Sequence, residues 1–522
     1  MTEVLRTELI QPVSELLLDR ASKFPNKVAY KDQVRSVTYH ELQIRTANLA
    51  TQLLHLGIAH GDRIVIHLDD SVNTVESYFG ITRAGAIGVC VDPKAAQSEL
   101  EYMVLDSGAK TVIVDRAHYE RAVYLRGRID GLKVILTASN GLDGEAVSYD
   151  QLVSSAIDGQ RHAIDTMGLD DVSWIVYTSG TTGRRKGVML TQRGCLWDEV
   201  ASWDAIARLG PDDFVLSPLP LFHSYALVLS VLGILVAGAT EQIVRFSPDQ
   251  IIETLRTQPI TFFPGVPTMF QYLLNALGGK SLDAKSLRLC VSAGAIMPGA
   301  LNESFERASG VLLLDGYGIT ETSTMVIMNW PDGTRKPGSC GYPLLGSSVR
   351  LVDPVTLRDV SVGEVGEVWV SGPHVMVGYY NKPEATQGAL TDGWYHTGDL
   401  ATRDYDGLVT ICGRTKELII RGGENIYPAE VEAVILIAPG VKDAAVIGAP
   451  HPSLGEEPVA FVVPGDDFDT EELMNICRAN LSATKVPVAI YFIPEIPRTG
   501  SGKAMRYLLK EQLENMGNKV NN

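Results

Sequence analysis

The chain is poor in cysteine, with six in 522 residues, and Cys90, Cys195, Cys290, Cys340, Cys412 and Cys477 are scattered along it. No two stand close enough for a CxxC pair, which excludes zinc-ligand and thioredoxin-like spacings. So few thiols make a poor disulfide framework and suit a reducing compartment. Positive charge is also short: 45 Lys and Arg face 62 Asp and Glu, for a net charge of −17. Bulk attraction to nucleic acid or to an anionic membrane is thereby excluded, although a local cationic pocket is not. Long hydrophobic runs are missing as well. The longest, Ala226 to Ala239, reads as a buried helix and falls short of the ~20 residues that span a bilayer. The first ten residues carry acids where a secretory leader needs basic residues and then an apolar run. The expectation is a soluble, cytoplasmic protein with no membrane span and no nucleic-acid partner.

What is present is ordinary for a folded protein: 45% apolar and 20% charged residues. The length exceeds what one core supports, roughly 250–300 residues, so at least two domains are expected. From Arg63 onward short apolar runs alternate with helical stretches. Ile64–Ile66, Ala86–Val91, Thr111–Asp115 and Val134–Leu136 read as strands, and Ser71–Arg83 reads as a helix. That alternation indicates parallel sheets with crossover helices, an α/β class. Strands at Ile260–Phe263, Leu287–Val291 and Val311–Leu314 extend the pattern, and Val349–Val370 reads as a smaller β-rich subdomain. A texture change near Cys412 suggests residues 1–412 as one large region and 413–522 as a small α+β domain. In the small domain, helices are expected at Pro428–Ile437 and Thr470–Leu481, strands at Ala444–Ile447 and Val459–Val463, and a frayed tail after Met516.

The most informative stretch is Tyr177-Thr-Ser-Gly-Thr-Thr-Gly-Arg-Arg-Lys-Gly187, between the apolar run Trp174–Val176 and a helix opened by Thr191. Glycines let backbone N–H groups approach phosphate oxygens, hydroxyls donate further bonds, and a lysine neutralises charge. The segment therefore reads as a phosphate cradle built from Thr178, Ser179, Gly180, Thr181, Thr182, Gly183 and Lys186. It is not a Walker A loop, because Gly187 follows the lysine where Ser or Thr is required. Gly500-Ser-Gly-Lys503 also fails that pattern, with Pro497 in place of the first glycine and Ala504 after the lysine.

Tyr177–Gly187 resembles the phosphate-loop signature of the adenylate-forming superfamily of acyl- and aryl-CoA ligases, peptide-synthetase adenylation domains and beetle luciferases. Further family motifs follow in order: Gly316-Tyr-Gly-Ile-Thr-Glu321, Tyr395-His-Thr-Gly-Asp399, Gly413–Glu432 and Pro497–Lys503. The resemblance runs from Leu16 to Leu509. It implies a large N-terminal region with parallel-rich sheets and a small mobile C-terminal domain. It also implies two steps. A carboxylate attacks the α-phosphate of Mg-ATP to give acyl-AMP and pyrophosphate, and a thiol, usually of coenzyme A, then displaces AMP. Negative charge builds on the phosphoryl oxygens in the first step, so cations and aimed donors matter more than a nucleophilic side chain.

Carried over by match, Lys503 contacts the attacking carboxylate and the α-phosphate, and Thr320 and Glu321 act beside the phosphates. Glu321 and Thr181 match the Mg²⁺ positions, Asp399 the ribose acceptor and Arg414 a second ribose or phosphate contact. Gly294, Ala295, Asp315, Gly316, Tyr317 and Gly318 resemble the segments flanking adenine. Lys416 falls at the family's hinge. For the acceptor, Gly422 and Gly423 resemble the turn presented to pantetheine, and Arg245 a basic residue near the CoA nucleotide. A carrier-protein thiol is the alternative acceptor, an enzyme specialised for one half-reaction is another reading, and a homodimer is allowed.

For the acid, Pro220-Leu-Phe-His-Ser-Tyr-Ala226 resembles the corresponding stretch of aryl- and fatty-acyl-CoA ligases. His223 stands where relatives that activate α-amino acids place an Asp for the substrate ammonium. An α-amino acid would thus lack its partner. His223, Tyr225, Leu229, Val266 and Thr268 are expected to line a mostly apolar pocket. One departure stands out. Arg185 occupies a position where relatives usually carry Pro, which loosens the loop and adds a cation.

Overall fold

A computed structural model describes residues 5–139, 144, 146–155, 166–178, 185–465, 467–499 and 503–520, the side chains of 517–520 excepted. Two large sheets organise the N-terminal region. The first runs, in spatial order, Gly378–Tyr379, Lys186–Thr191, Val172–Thr178, Ile87–Cys90, Arg63–His67, Thr111–Val114, Lys133–Leu136 and Val147–Ser148. Its six strands from Val172–Thr178 onward are parallel, and the other two add antiparallel at the edge. Parallel strands buried on both faces must be apolar at every position, which is why they read as unbroken Val and Ile runs. Successive residues feed two different cores. Ile64 and Ile66 face the main core, whereas Val65 lies with Val89 and Val112 under the helices Gln97–Ser107 and Tyr119–Arg126.

The second sheet has nine strands. Leu312–Tyr317, Leu289–Ser292, Phe262–Gly265, Phe214–Ser217, Thr240–Ile243 and Val28–Lys31 are parallel neighbours. Ile327–Met328, Tyr342–Pro343 and Ser36–Thr38 close its edges antiparallel. The main core lies between the two sheets and holds Trp174, Trp203, Tyr30 and Phe262, all fully buried. A third sheet, wholly antiparallel, is built on Ser348–Val352, Gly366–Ser371, Trp394–Arg403 and Val409–Arg414.

The C-terminal sheet begins at Ile419 and pairs Val441–His451 with Gly455–Pro464 as a long hairpin. Alternation again splits the hairpin between two cores. Val446 and Val462 pack on the helices Pro428–Leu436 and Thr470–Asn480, and Ile447 and Phe461 pack on Leu509 of the last helix.

Helix starts follow capping chemistry. Ser71, Thr191 and Asp469 each accept a backbone N–H of the following turn, and Thr38 with Glu41 forms a reciprocal capping box.

The boundary expected after Cys412 falls within the strand Val409–Arg414, which pairs with Trp394–Arg403. The tail is not frayed after Met516. Its backbone stays helical to Val520, because Leu509 and Leu513 anchor the helix on the C-terminal core. The greasy segment is the buried helix expected, with Leu227–Gly233 widened into a π-turn that faces a second one at Val200–Asp204. Such widened turns gather at functional sites.

Candidate active site

Most of the site emerges from the carboxyl ends of parallel strands, where open α/β sheets place ligands. Thr178 ends one strand, and Asp315, Gly316 and Tyr317 end another. Gly294 and Ala295 follow Leu289–Ser292, and Val266 and Thr268 follow Phe262–Gly265. A cavity of about 1000 Å³ opens here, walled on its far side by the C-terminal domain. Thr268, Gly294, Ala295, Asp315, Gly316, Tyr317, Gly318, Asp399, Arg414, Lys416 and Lys503 all line it.

The Gly316–Glu321 segment is forced by close approach. A Cβ on Gly318 would lie 1.4 Å from the Thr324 carbonyl oxygen, so only glycine fits there. Gly294 sits at φ +89°, in the left-handed region. Burial pushes the Asp315 carboxyl well above the carboxylate range, and its Oδ1 has no hydrogen-bond partner among the described residues. An unmet buried polar atom is costly, and Asp315 lines the cavity where a ligand donor could meet it.

Asp399, 3% exposed, accepts from Tyr317 Oη at 2.7 Å and pairs with Arg414 Nε at 2.8 Å. Asp399 and Arg414 face each other across adjacent strands, so sheet register alone fixes the pair. Asp399 holds Arg414 firmly in its charged form.

Glu321 follows in the turn Thr320–Thr322, and its Oε1 accepts from Tyr379 Oη at 2.9 Å. Tyr379 also meets Tyr395 Oη at 3.3 Å, and the Lys186 ammonium stands 4.4 Å over the Tyr379 ring. Thr320 accepts from Ser224 Oγ at 3.3 Å. Thr178 donates to the Lys186 carbonyl at 3.5 Å. Ser179, Gly180, Thr181, Thr182 and Gly183 lie outside the described residues. A Mg²⁺ ion wants hard oxygen donors and keeps several waters, and the Tyr379-oriented Glu321 carboxylate suits it.

Lys503 comes from the other domain. Its carbonyl accepts from Thr499 N at 2.8 Å and Arg498 bridges Ala504, so the lysine closes a small antiparallel excursion into the cavity. Burial, then the Arg414 cation, lower its pKa, while Asp399, Glu321 and Glu417 oppose that. Burial, with the Lys503 charge nearby, also takes His223 down to about 4, leaving a neutral imidazole. Its Nδ1 accepts from Tyr225 N at 3.2 Å.

Other expected residues stand apart from the cavity wall. Tyr225 and Leu229 are packed in the main core, and Val266 lies just behind Gly294. Gly422 and Gly423 form the exposed turn of a hairpin, at φ +58° and +90°, away from the cavity. Arg245 is 81% exposed and pairs with Asp69 at 2.7 Å, beside His118 and Asp115. Asp115 spends its oxygens on the backbone N–H groups of Asp69 and His118, a turn-capping role. The departing Arg185 pairs sideways with Glu99 at 3.1 Å, and its carbonyl accepts from Tyr102 at 2.9 Å. The chain thus tethers the end of its cradle to the helix Gln97–Ser107 where a proline would have stiffened it.

Sequence reasoning missed Tyr379, for which no local signal exists, and the clamp around Arg506. That guanidinium meets Glu417 at 2.8 Å, Glu432 at 2.8 Å and the Val446 carbonyl at 3.2 Å. Its place three residues after Lys503, opening the last helix, was the available clue.

The AMP-binding enzyme profile matches residues 17–380, and the profile of the AMP-binding enzyme C-terminal domain matches residues 430–503. The chain belongs to the AMP-binding enzyme family. It is 36% identical over 492 residues to a feruloyl-CoA synthase of Amycolatopsis sp, covering 93% of this chain and 96% of that one. It is 32% identical over 533 residues to a long-chain-fatty-acid–CoA ligase of Bacillus subtilis, covering 96% and 95%. It also matches a naringenin synthase of Pestalotiopsis fici at 36% identity, but spans only 19% of that protein's length. Among solved structures, an anthranilate CoA ligase with anthranoyl-AMP superposes at TM-score 0.89, 26% identical over 97% of each chain. ATP-bound MatB from Rhodopseudomonas palustris superposes at 0.87, 30% identical, covering 96% of this chain and 99% of that one. With full-length relatives of this kind, the protein is an AMP-forming acyl-CoA synthetase.

Proposed function

We propose that this acyl-CoA synthetase activates an apolar or aromatic carboxylic acid, not an α-amino acid, and passes the acyl group to coenzyme A. The observation that carries the reading is that Lys503, from the C-terminal domain, lines the same cavity as the Asp399–Arg414 pair, with the charges of Glu321 and His223 within its reach. A carboxylate is a poor electrophile, and attack on the α-phosphorus replaces oxide by the far better leaving group AMP. Lys503 supplies the cation between the two reacting anions, where charge develops. Asp399 accepts from the ribose hydroxyls while Arg414, held in place by Asp399, keeps a fixed positive charge beside the phosphates. Lys186 neutralises the outer phosphates. Mg²⁺, held by Glu321 and Thr181, would screen the remaining triphosphate charge.

The neutral His223 supports the choice of acid. It offers neither a carboxylate for an ammonium group nor a cation for a second carboxylate. Lys416, between Arg414 in the last strand of the large region and Glu417 clamped by Arg506, is where the two domains pivot. Residues at such joints absorb the backbone change.

The test is pyrophosphate exchange with a panel of acids, followed by a search for free acyl-CoA when only small molecules are supplied. Exchange with aryl or alkyl acids and release of acyl-CoA are expected. Exchange confined to amino acids, or acyl transfer only to a carrier protein, would overturn the reading.

A further inference from the structure

Tyr225 and Trp203 lie behind the cavity and not on its wall. His223, which feels the Lys503 charge, accepts on Nδ1 from the backbone N–H of Tyr225 in the turn Ser224–Ala226, and Tyr225 packs into the main core. Tyr225 lies 4% exposed with its hydroxyl 3.4 Å from the Val291 carbonyl, two residues below Ala293, so its ring crosses beneath the strand end that carries Gly294. Trp203 stacks under it, with ring centroids 5.9 Å apart and planes 20° from parallel, and Phe262 meets Trp203 edge-on at 6.2 Å. Three aromatic rings, Tyr225, Trp203 and Phe262, thus stand in series behind His223. Thr268, Gly294 and Ala295 line the cavity, whereas Tyr225, Trp203 and Phe262 do not and lie in the main core. Trp203 itself sits in the π-turn Val200–Asp204, whose widened backbone brings its indole under Tyr225, and its Nε1 has no hydrogen-bond partner among the described residues.

We propose that Trp203, acting through the stacked Tyr225, is the floor of the acid pocket and restricts the enzyme to short or single-ring carboxylic acids, excluding long alkyl chains. The inference rests on the reading that the acid lies between Lys503 and His223. An aromatic floor is a hard stop, because interiors are close-packed and overfilling them is as costly as emptying them. A planar acid ending against the stacked pair would gain ring contacts instead. A long flexible chain would have to displace both rings, and each methylene that does not fit costs about 10–200-fold in discrimination.

The experiment measures acid-dependent pyrophosphate release for benzoate, cinnamate, hexanoate, dodecanoate and palmitate, with the full-length enzyme and with Trp203→Leu. The wild type is expected to favour the first three over palmitate by more than about 100-fold in kcat/KM. Trp203→Leu is expected to raise the KM for cinnamate, leave the KM for ATP unchanged, and move the preference toward dodecanoate. A wild type that uses palmitate as well as cinnamate would overturn the proposal, and so would a folded Trp203→Leu with an unchanged acid profile. Should Trp203→Leu fail to fold, the wild-type profile and Tyr225→Leu decide in the same way. If no acid at all were activated, the failure would belong to the functional reading and not to the floor.

Discussion

Replacing Asp399 by Asn separates the ribose role from mere structure. Asn keeps the shape of the side chain but loses its charge, and one of its two acceptors becomes an NH₂ donor. In the resting site that donor either faces Arg414 Nε, now 2.8 Å away and unable to accept, or makes Tyr317 Oη, now 2.7 Å away, accept where it had donated. A hydrogen bond to a charged group contributes about 1.5–3 kcal/mol. Because the Arg414 side chain is 32% exposed, the stability loss falls near the lower end, about 1–2 kcal/mol, or a few degrees in Tm. Bound nucleotide loses more, since an ionised carboxylate accepting two hydroxyls is charge-assisted. A loss of about 1.5–3 kcal/mol corresponds to roughly 10–100-fold in kcat/KM for ATP. Steady-state pyrophosphate release with ATP varied, and then with acid varied, reads this out alongside a thermal melt. The acid KM should hold while the ATP term falls. An Asp399→Asn enzyme that is folded and keeps its kcat/KM for ATP would refute the ribose assignment.

Gly318→Ala should cost about 3 kcal/mol or more and remove ATP-dependent turnover, since its methyl would overlap the Thr324 carbonyl; a wild-type melting curve and activity would contradict this. Adenylation should fall as pH rises through the Lys503 pKa, which burial and then the Arg414 cation hold below the ordinary lysine value, because the protonated ammonium is the active form. Glu417→Gln removes an anion that opposes that lowering, with Asp399 and Glu321 still in place, so the alkaline limb of the pH–rate profile should move to lower pH, and an unmoved limb would refute it. Gly423→Leu should slow thioester formation from supplied acyl-AMP and spare pyrophosphate exchange, and normal CoA turnover would remove that turn from the thiol path.

Much of the fold was legible because its signals are local. Val65, Val112 and Val134 sit in uninterrupted apolar runs, and only doubly covered parallel strands bury such runs. Ser71, Thr191 and Asp469 mark their helices by side-chain chemistry. The strand Val28–Lys31 was illegible for the opposite reason. It is short, and its pairing with Thr240–Ile243 depends on residues two hundred positions away. Asp315, Asp399, Arg414 and Lys503, each carried by a motif of the family resemblance, all line the one cavity. Tyr225 and Leu229 were placed in the acid pocket by motif position alone. The structure packs both in the main core, with Tyr225 stacked on Trp203, which arrives from an unrelated helix. The tether of Arg185 to Glu99 was unreadable for the same reason, since the sequence shows the missing proline but not the distant carboxylate that replaces it.

The central claim is that the Lys503 ammonium serves the first half-reaction and not the second. Lys503→Ala should abolish acid-dependent pyrophosphate exchange while thioester formation from supplied acyl-AMP and CoA proceeds within about threefold of wild type, the range a lost contact outside the reacting centre leaves. Equal loss of both half-reactions, or retention of exchange, would contradict the account.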